Sequence, residues 1–317
     1  GFHKTATHGG GGIGNTPDYW GNNYNDDHYA VNGAWTPFEG YCTDIWFNEG
    51  LKFIERNKDR PFFCFITTNA PHGPFIVDDS YSRQYDDQVE TESRANFYGM
   101  ITCIDENVGA LRRRLNELGL TENTILIFAS DHGEMMGDHG MYNKMVMYEE
   151  AIRVPLVIRV PWFENQVKLA KGRISQIDLV PTLLELMQEE IPSELQGESR
   201  ASVLCGESTL SRNDVFVQMN GGHFPGSGRF EWDVSEEEMK RIVGLPWRTV
   251  ISADGWKLNL NSGDQCELYD LNTDLHELNN LYDYTEHRER VHYLTRKISD
   301  WQTQTGDENA QLPEVMS

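Results

Sequence analysis

Two short, unbroken apolar runs constrain this chain most: Phe62 to Thr67 (FFCFIT) and Thr124 to Ser130 (TILIFAS). Both have strand length, and a strand that is apolar at every position belongs in a sheet covered on both faces. Both stop abruptly in a polar loop that carries a histidine. The first leads into Thr68-Asn69-Ala70-Pro71-His72-Gly73-Pro74 and the second into Asp131-His132-Gly133. Between them, Arg94 to Leu118 sets Phe97, Ile101, Ile104, Val108, Leu111 and Leu115 along one helical face, with Gly119 as its stop.

The same alternation continues on either side. Tyr41 to Asn57 predicts a helix that Arg60-Pro61 ends, Val154 to Val160 a third strand, and Ser175 to Met187 a helix with Ser175 as N-cap. Strands alternating with helices predict an α/β fold with a mostly parallel sheet flanked by helices and right-handed crossovers. After Gly206 the pattern changes. Val215-Phe216-Val217, Thr249-Val250-Ile251, Lys257 to Leu260 and Glu267-Leu268-Tyr269 predict short strands, with Asp254-Gly255 as a hairpin turn and a helix over about 286–303. This predicts a small C-terminal antiparallel subdomain with a helix. The expected division is a catalytic α/β part over 1–206 and an α+β part over 207–317.

Residues 1–40, rich in Gly, Asn, Asp and aromatics, predict a long loop region. Gly9 to Gly14 (GGGGIG) matches G-x-G-x-x-G. A dinucleotide site needs a strand directly before that motif, and only eight residues precede it, so the segment is expected to be a loop whose backbone comes close to another group. Five cysteines lie far apart without a C-x-x-C pair, which excludes a zinc framework or a dense disulfide scaffold; Cys64 and Cys103 are expected to be inert core thiols.

With 27 basic and 50 acidic residues the formal charge is −23, which argues against nucleic acid as a partner. No apolar run approaches the roughly 20 residues that span a bilayer, so no membrane partner is expected.

The chemistry is expected at the carboxyl ends of the strands. An adjacent carboxylate and imidazole, Asp131-His132, can ligate a divalent cation together, or can form an Asx-type turn with a hydrogen-bonded histidine. His72 between two prolines, in an extended loop, can hydrogen-bond an anion or donate a proton. Downstream, Gly137-Asp138-His139-Gly140 leads to Lys144, a cation in an acidic stretch suited to clamping a tetrahedral oxyanion, and then to Glu149-Glu150 and Arg153. Trp20, Tyr24, Trp35 and Tyr41 could line a sugar pocket or simply pack.

SDHGEMMGDHGMYNK followed by MYEEAIRVPLVIRVP resembles the second signature region of the sulfatases, within the alkaline-phosphatase-like superfamily. PFFCFITTNAPHGPF resembles their strand and P-H-x-P segment, FEGYCTDIWFNEGLKFI the stretch before it, and ELYDLNTDLHELNNL their closing segment. The resemblance implies hydrolysis of sulfate esters of an alcohol, aryl group or sugar, assisted by calcium and a formylglycine hydrate. It implies that Asp131 and His132 are metal ligands, that Lys144 binds the substrate sulfate, that His72 contacts the sulfate and can protonate the leaving alkoxide, and that His139 has a supporting role in substrate binding. It also implies a sulfated small molecule or carbohydrate as partner and, by family habit, export to the periplasm or beyond the cell. None of the five cysteines begins a C-x-P-S-R motif, and no Ser equivalent, N-terminal acidic pair or GKWHLG-like segment is present. The chain is therefore expected to correspond to the C-terminal two-thirds of a sulfatase. By itself it is expected to be inactive, with an incomplete metal site in which Asp131 lies near Lys144. A phosphonate monoester or phosphodiester hydrolase of the same superfamily, or a non-catalytic remnant, are the alternatives.

Overall fold

The apolar spacing of residues 41–57 becomes helix α1 (Cys42–Asn57) in the computed structural model, which describes residues 1–8, 23–163, 169–221, 237, 241 and 244–313. The chain divides into two units, Gly1–Thr124 and Ile125–Ser317. The motif at residues 9–14 and Trp20 lie outside the described residues.

In the first unit, β1 (Ala6–Thr7), β2 (His28–Val31) and β3 (Ala34–Pro37) form an antiparallel sheet. This corrects the loop expected over residues 1–40. The overlooked signal is Asn32-Gly33, which turns β2 into β3 with φ of 52° and 84°, the pair of left-handed residues that a tight hairpin demands. The turn places Tyr29 and Tyr24 against α1, where Ile45 and Trp46 meet Met100 and Ile104 of α3 (Glu92–Glu117). Tyr24 is buried in this core and bonds to backbone, so it packs rather than lining a pocket. The Thr91 side chain caps α3 by accepting from the Arg94 N–H. A short α2 (Asp79–Ser82) lies against Gly99, whose missing Cβ would sit 3.0 Å from the Ser82 backbone.

Residues 62–67 are extended but join no ladder among the described residues. Cys64 and Ile66 face α1, where a Cβ on Gly50 would meet Ile66 Cδ1 at 2.5 Å. Phe63 and Phe65 point the other way, 61% and 67% exposed, and stack with Phe2. The run is thus half-buried instead of covered on both faces, because an extended chain sends alternate side chains to opposite sides and α1 covers one. Burial pushes the Cys42 and Cys103 thiols up to about 12 and raises that of Cys64, as expected for inert cysteines.

In the second unit, β4 (Leu126–Ala129) pairs with β5 (Leu156–Arg159), Leu126 opposite Arg159 and Ala129 opposite Leu156. Every ladder among the described residues is antiparallel, a correction to the expected mostly parallel pairing. Parallel strands require a substantial crossover. The 130–155 connection contains a one-turn helix, α4 (Glu149–Ile152), and folds straight back. The helix expected at 175–187 is present as a 3₁₀ turn leading into α5 (Leu179–Leu186), but the Ser175 side chain makes no capping bond. Instead the Asp178 carboxylate accepts from the Glu198 N–H and Arg200 Nε, ahead of α6 (Ala201–Leu204).

The C-terminal antiparallel sheet forms as expected, in the order β6 (Val215–Met219), β7 (Trp247–Ile251), β8 (Trp256–Leu260), β9 (Glu267–Asp270). Helix α7 (Arg288–Thr305) covers one face, packing Val291, Leu294 and Ile298 on Val250, Leu258, Leu260 and Leu268. At Gly255 (φ 90°) a Cβ would strike the Asn272 side chain, so the hairpin turn requires glycine there. None of the described helices is long and apolar enough to cross a membrane.

Arg248 on β7 is 1% exposed and forks onto both oxygens of Asp307, just past the C-terminus of α7. Its guanidinium holds the Asp307 carboxyl well below the usual carboxylate range. Removing one partner of a buried pair leaves the other uncompensated, so Asp307→Asn is expected to destabilise the second unit by about 3 kcal/mol in chemical denaturation at pH 7. A depressed carboxylate stabilises the fold above its ordinary value of 3.8 and loses that contribution as pH falls toward the depressed one, so the gap between wild type and variant should shrink below pH 3.8.

Candidate functional site

In the first unit, the candidate group is His72. The loop turns at residues 69–72, where the His72 N–H reaches back to the Asn69 carbonyl, and is not the extended segment expected from flanking prolines. The His72 N–H donates to the Asn69 carbonyl at 2.8 Å, and the Tyr24 hydroxyl donates to the His72 carbonyl. The Asn69 side chain accepts from Trp46 Nε1 at 3.0 Å, which ties this turn to the core. His72 Nδ1 lies 2.7 Å from the Gly73 carbonyl. A carbonyl can only accept, so Nδ1 carries the proton.

In the second unit, the same device recurs at the end of β4. His132 Nδ1 lies 2.8 Å from the Gly133 carbonyl, which leaves its Nε2 lone pair 3.5 Å from Asp131 Oδ2. The other Asp131 oxygen accepts from the His132 N–H. Gln176 donates to the carbonyls of Ser130 and Asp131 at 2.9 and 2.8 Å, holding the strand end. Asp131 is mostly exposed, so its carboxylate faces solvent.

Two donors on one side, with the imidazole tautomer set by a backbone carbonyl, fit half of a divalent-cation site. Among the described residues no group of three or more His, Cys, Asp or Glu could hold a metal. No ion pair joins Asp131 to Lys144 among the described residues. One carboxylate oxygen instead accepts from the N–H of its own neighbour, His132.

Gly133 is the pivot of the connection. Its N–H donates to the Ala151 carbonyl at 2.8 Å, and a Cβ there would lie 1.9 Å from the Glu150 carbonyl oxygen. From this point the chain makes a closed loop. Met135 N–H reaches the Asn143 carbonyl, Gly137 N–H the Met141 carbonyl, and Glu134 Oε1 accepts from the Asn143 N–H. Met136, Gly137, His139, Gly140 and Asn143 all have positive φ, from 49° to 96°. Three of them are not glycine, and such residues persist where surrounding contacts over-determine them, most often at functional sites. Lys144 follows directly, half-buried.

Sequence reasoning missed what backs this loop. The His139 ring stacks on Tyr148, centroids 4.0 Å apart and planes 10° from parallel. Its Nε2 is 3.9 Å from the buried Glu150 Oε2, and His276 Nδ1 is 3.5 Å from Glu150 Oε1. Tyr148 donates to Glu267, and Ile152 and Tyr148 pack on Ile251, Tyr269 and Leu271 of the C-terminal sheet. Here Lys257, fully buried, meets Glu277 at 2.6 Å and Glu149 at 3.3 Å, while Glu277 also accepts from the Glu149 N–H. The available signal was a lysine in the middle of an apolar strand, Trp256-Lys257-Leu258, which requires a buried counter-charge.

With this geometry in place, comparison with known proteins identifies the family. A sulfatase profile matches residues 2–189, and a profile for the C-terminal region of N-sulphoglucosamine sulphohydrolase matches residues 137–304. The first spans more than half of the chain, which belongs to the sulfatase family. The chain is 29% identical over 223 residues to an N-acetylglucosamine-6-O-sulfatase of Bacteroides thetaiotaomicron, covering 70% of this chain and 38% of that protein. A solved structure in complex with its substrate D-glucosamine-2-N,6-O-disulfate superposes with a TM-score of 0.76 at 20% identity, covering 98% of this chain and 77% of that one. The phosphonate monoester hydrolase of Agrobacterium radiobacter superposes with a TM-score of 0.70 at 22% identity, over 84% of this chain and 62% of that one. The fold is therefore the alkaline-phosphatase-like α/β fold, with its small antiparallel sheet at the C-terminal side. The chain spans 38% to 56% of the length of the first curated relatives it matches.

Two measurements check the site geometry. Gly133→Ala must push the 150–151 backbone aside, so it is expected to lower stability by about 3 kcal/mol or more in denaturant unfolding. The second concerns Glu277, whose carboxyl burial pushes up to about 7 against the opposing pull of Lys257. A raised carboxylate makes the folded state hold a proton that the unfolded state releases. Wild-type stability should therefore fall as pH rises from 4.5 toward 7, by up to about 1.4 kcal/mol per pH unit from this group, and Glu277→Gln should flatten that part of the profile.

Proposed function

We propose that this protein hydrolyses sulfuric esters, with a sulfated carbohydrate as the substrate class. The observation that carries this reading is the strand-end pair Asp131-His132, its tautomer set by Gly133, followed by the left-handed loop that leads to Lys144, in a chain of the sulfatase family. The relative that acts on N-acetylglucosamine 6-O-sulfate and the structure holding a disulfated glucosamine support a sulfated amino sugar.

In this reading Asp131 and His132 would hold part of the coordination sphere of a divalent cation, calcium by family resemblance. When bound, such an ion supplies Lewis-acid polarisation of the sulfate. Lys144 places a positive charge on a non-bridging sulfate oxygen, where charge grows as the ester bond lengthens. His72, its Nδ1–H donated to the Gly73 carbonyl, enters the step as the imidazolium, passes its Nε2 proton to the leaving alkoxide and is left as the neutral ring. His139 supports the turn and contributes to substrate binding. The nucleophile implied by family resemblance is a formylglycine hydrate. These residues contribute binding and polarisation, over a catalytic part at 1–206 and a C-terminal part at 207–317.

The test is kcat/KM on an aryl sulfate and on 6-O-sulfated N-acetylglucosamine, for the sulfatase containing these residues and its Lys144→Ala variant. Loss of one oxyanion-stabilising group is expected to lower kcat/KM by roughly 10²- to 10³-fold. The unfolding transition should stay unchanged, since a half-exposed lysine contributes little to packing. Wild-type kinetics in Lys144→Ala would remove it from the site. The second reading, a phosphonate monoester or phosphodiester hydrolase, is favoured by the fold shared with the Agrobacterium radiobacter enzyme. Faster turnover of an aryl phosphonate monoester than of the matched sulfate would select it.

A further inference from the structure

We infer that Lys257, Glu149 and Glu277 are positioning residues for the anion-binding loop: a buried ion cluster on the C-terminal sheet sets Tyr148, and through Tyr148 the His139 turn and Lys144. This rests on the reading that Lys144 contacts the substrate anion.

The C-terminal sheet has two very different faces. Strand β8 alternates Trp256, Leu258 and Leu260 toward α7 with Lys257 and Asn259 away from it, and all but Trp256 are fully or almost fully buried. The second face mixes buried polar groups with Ile251 and Tyr269. Asn259 accepts from the Thr249 hydroxyl and donates to Glu267, and Glu267 in turn accepts from the Tyr148 hydroxyl. A polar face that is buried and bonded in this way is costly unless its partners hold one arrangement. The segment that covers it is Tyr148–Ile152, the strut between the Lys144 loop and β5.

Lys257 is the anchor. Its ammonium sits with side-chain exposure of 0%, against 7% for Glu149 and 0% for Glu277. It bridges the first residue of α4 to the 271–281 segment that follows β9, and Glu277 closes the ring by accepting the Glu149 N–H at 2.6 Å. Glu277 has φ of 52°, a left-handed conformation for a non-glycine residue. That conformation aims its carboxylate at both partners. With Glu149 fixed, the preceding residue, Tyr148, is fixed as well. Tyr148 presents its ring to His139, itself in the left-handed region at φ 55°, and this stack closes the loop from which Lys144 emerges. The chain of contact runs Lys257, Glu149, Tyr148, His139, in about one residue's reach per step. A buried ion pair contributes little net stability compared with apolar residues of the same volume, whereas it does impose one geometry.

The experiment uses the 317-residue chain and two variants, Lys257→Met and Glu277→Gln. The first readout is the NMR shift of the His139 ring protons, which the 4.0 Å stack on Tyr148 moves upfield. The second is the Kd for inorganic sulfate, followed at the Asn143 and Lys144 amides. Methyl resonances of Leu294 and Ile298, on the opposite face of the sheet, report whether the unit is folded. The expected result is loss of the upfield His139 shift and about tenfold weaker sulfate binding in Lys257→Met, with the Leu294 and Ile298 methyls in place. Glu277→Gln keeps an acceptor for the Glu149 N–H and should give the same changes at smaller amplitude. It carries the test if Lys257→Met does not fold. Retention of the full His139 shift in a folded variant overturns the inference. Should wild type bind no sulfate, the functional reading fails, while the His139 shift still decides the positioning role.

Discussion

The second unit depends on one close approach, that of Gly133 to residues 150–151. Strand β4 must end, release the 134–149 loop, and the chain must come back as β5 beside it. It can do so because the Gly133 N–H bonds to the Ala151 carbonyl while its absent side chain leaves room for the Glu150 carbonyl. The contact closes residues 134–149 into a loop anchored at both ends. Inside that loop, Glu134 and five backbone bonds among residues 135–143 hold five left-handed residues, a conformation that a free segment would not keep.

Histidine tautomers are treated the same way in both units. His72 and His132 each precede a glycine, and each donates Nδ1–H to that glycine's carbonyl. In both, the local bond to the following carbonyl fixes which ring nitrogen carries the proton. The two then differ by surroundings. His132 lies beside a carboxylate that faces solvent, which suits a cation, and His72 sits in a turn held by Tyr24, Asn69 and Trp46.

The C-terminal sheet has two different faces. One face is a conventional apolar surface under α7. The other buries Lys257, Asn259 and Thr249 against the strut that comes after the Lys144 loop. The Arg248–Asp307 fork, at the edge of the helix-covered face, ties the end of α7 to β7. Buried charge on both faces makes this sheet geometrically demanding, which fits a role in holding neighbouring residues in place.

The residues chosen from sequence for chemistry, Asp131, His132, His72, Lys144 and His139, were legible because their signals are local. For Asp131 and His132 the apolar run marks where β4 ends, His72 follows a run that joins no ladder among the described residues, and His139 and Lys144 stand out by sequence pattern in the loop beyond β4. Helices α1, α3 and α7, the hairpin at Gly255 and the antiparallel C-terminal sheet arise from spacing and turn chemistry in the same way. The direction of β5, the half-exposed face carrying Phe63 and Phe65, and the cluster of Lys257 with Glu149 and Glu277 were decided by tertiary structure. Strand direction depends on the path that residues 130–155 take in space, burial depends on which face another element covers, and a buried ammonium meets its counter-charges from segments far off in the chain, Glu149 lying 108 positions away. Local periodicity carries no information on any of these, because each is a contact between segments that are neighbours only after folding.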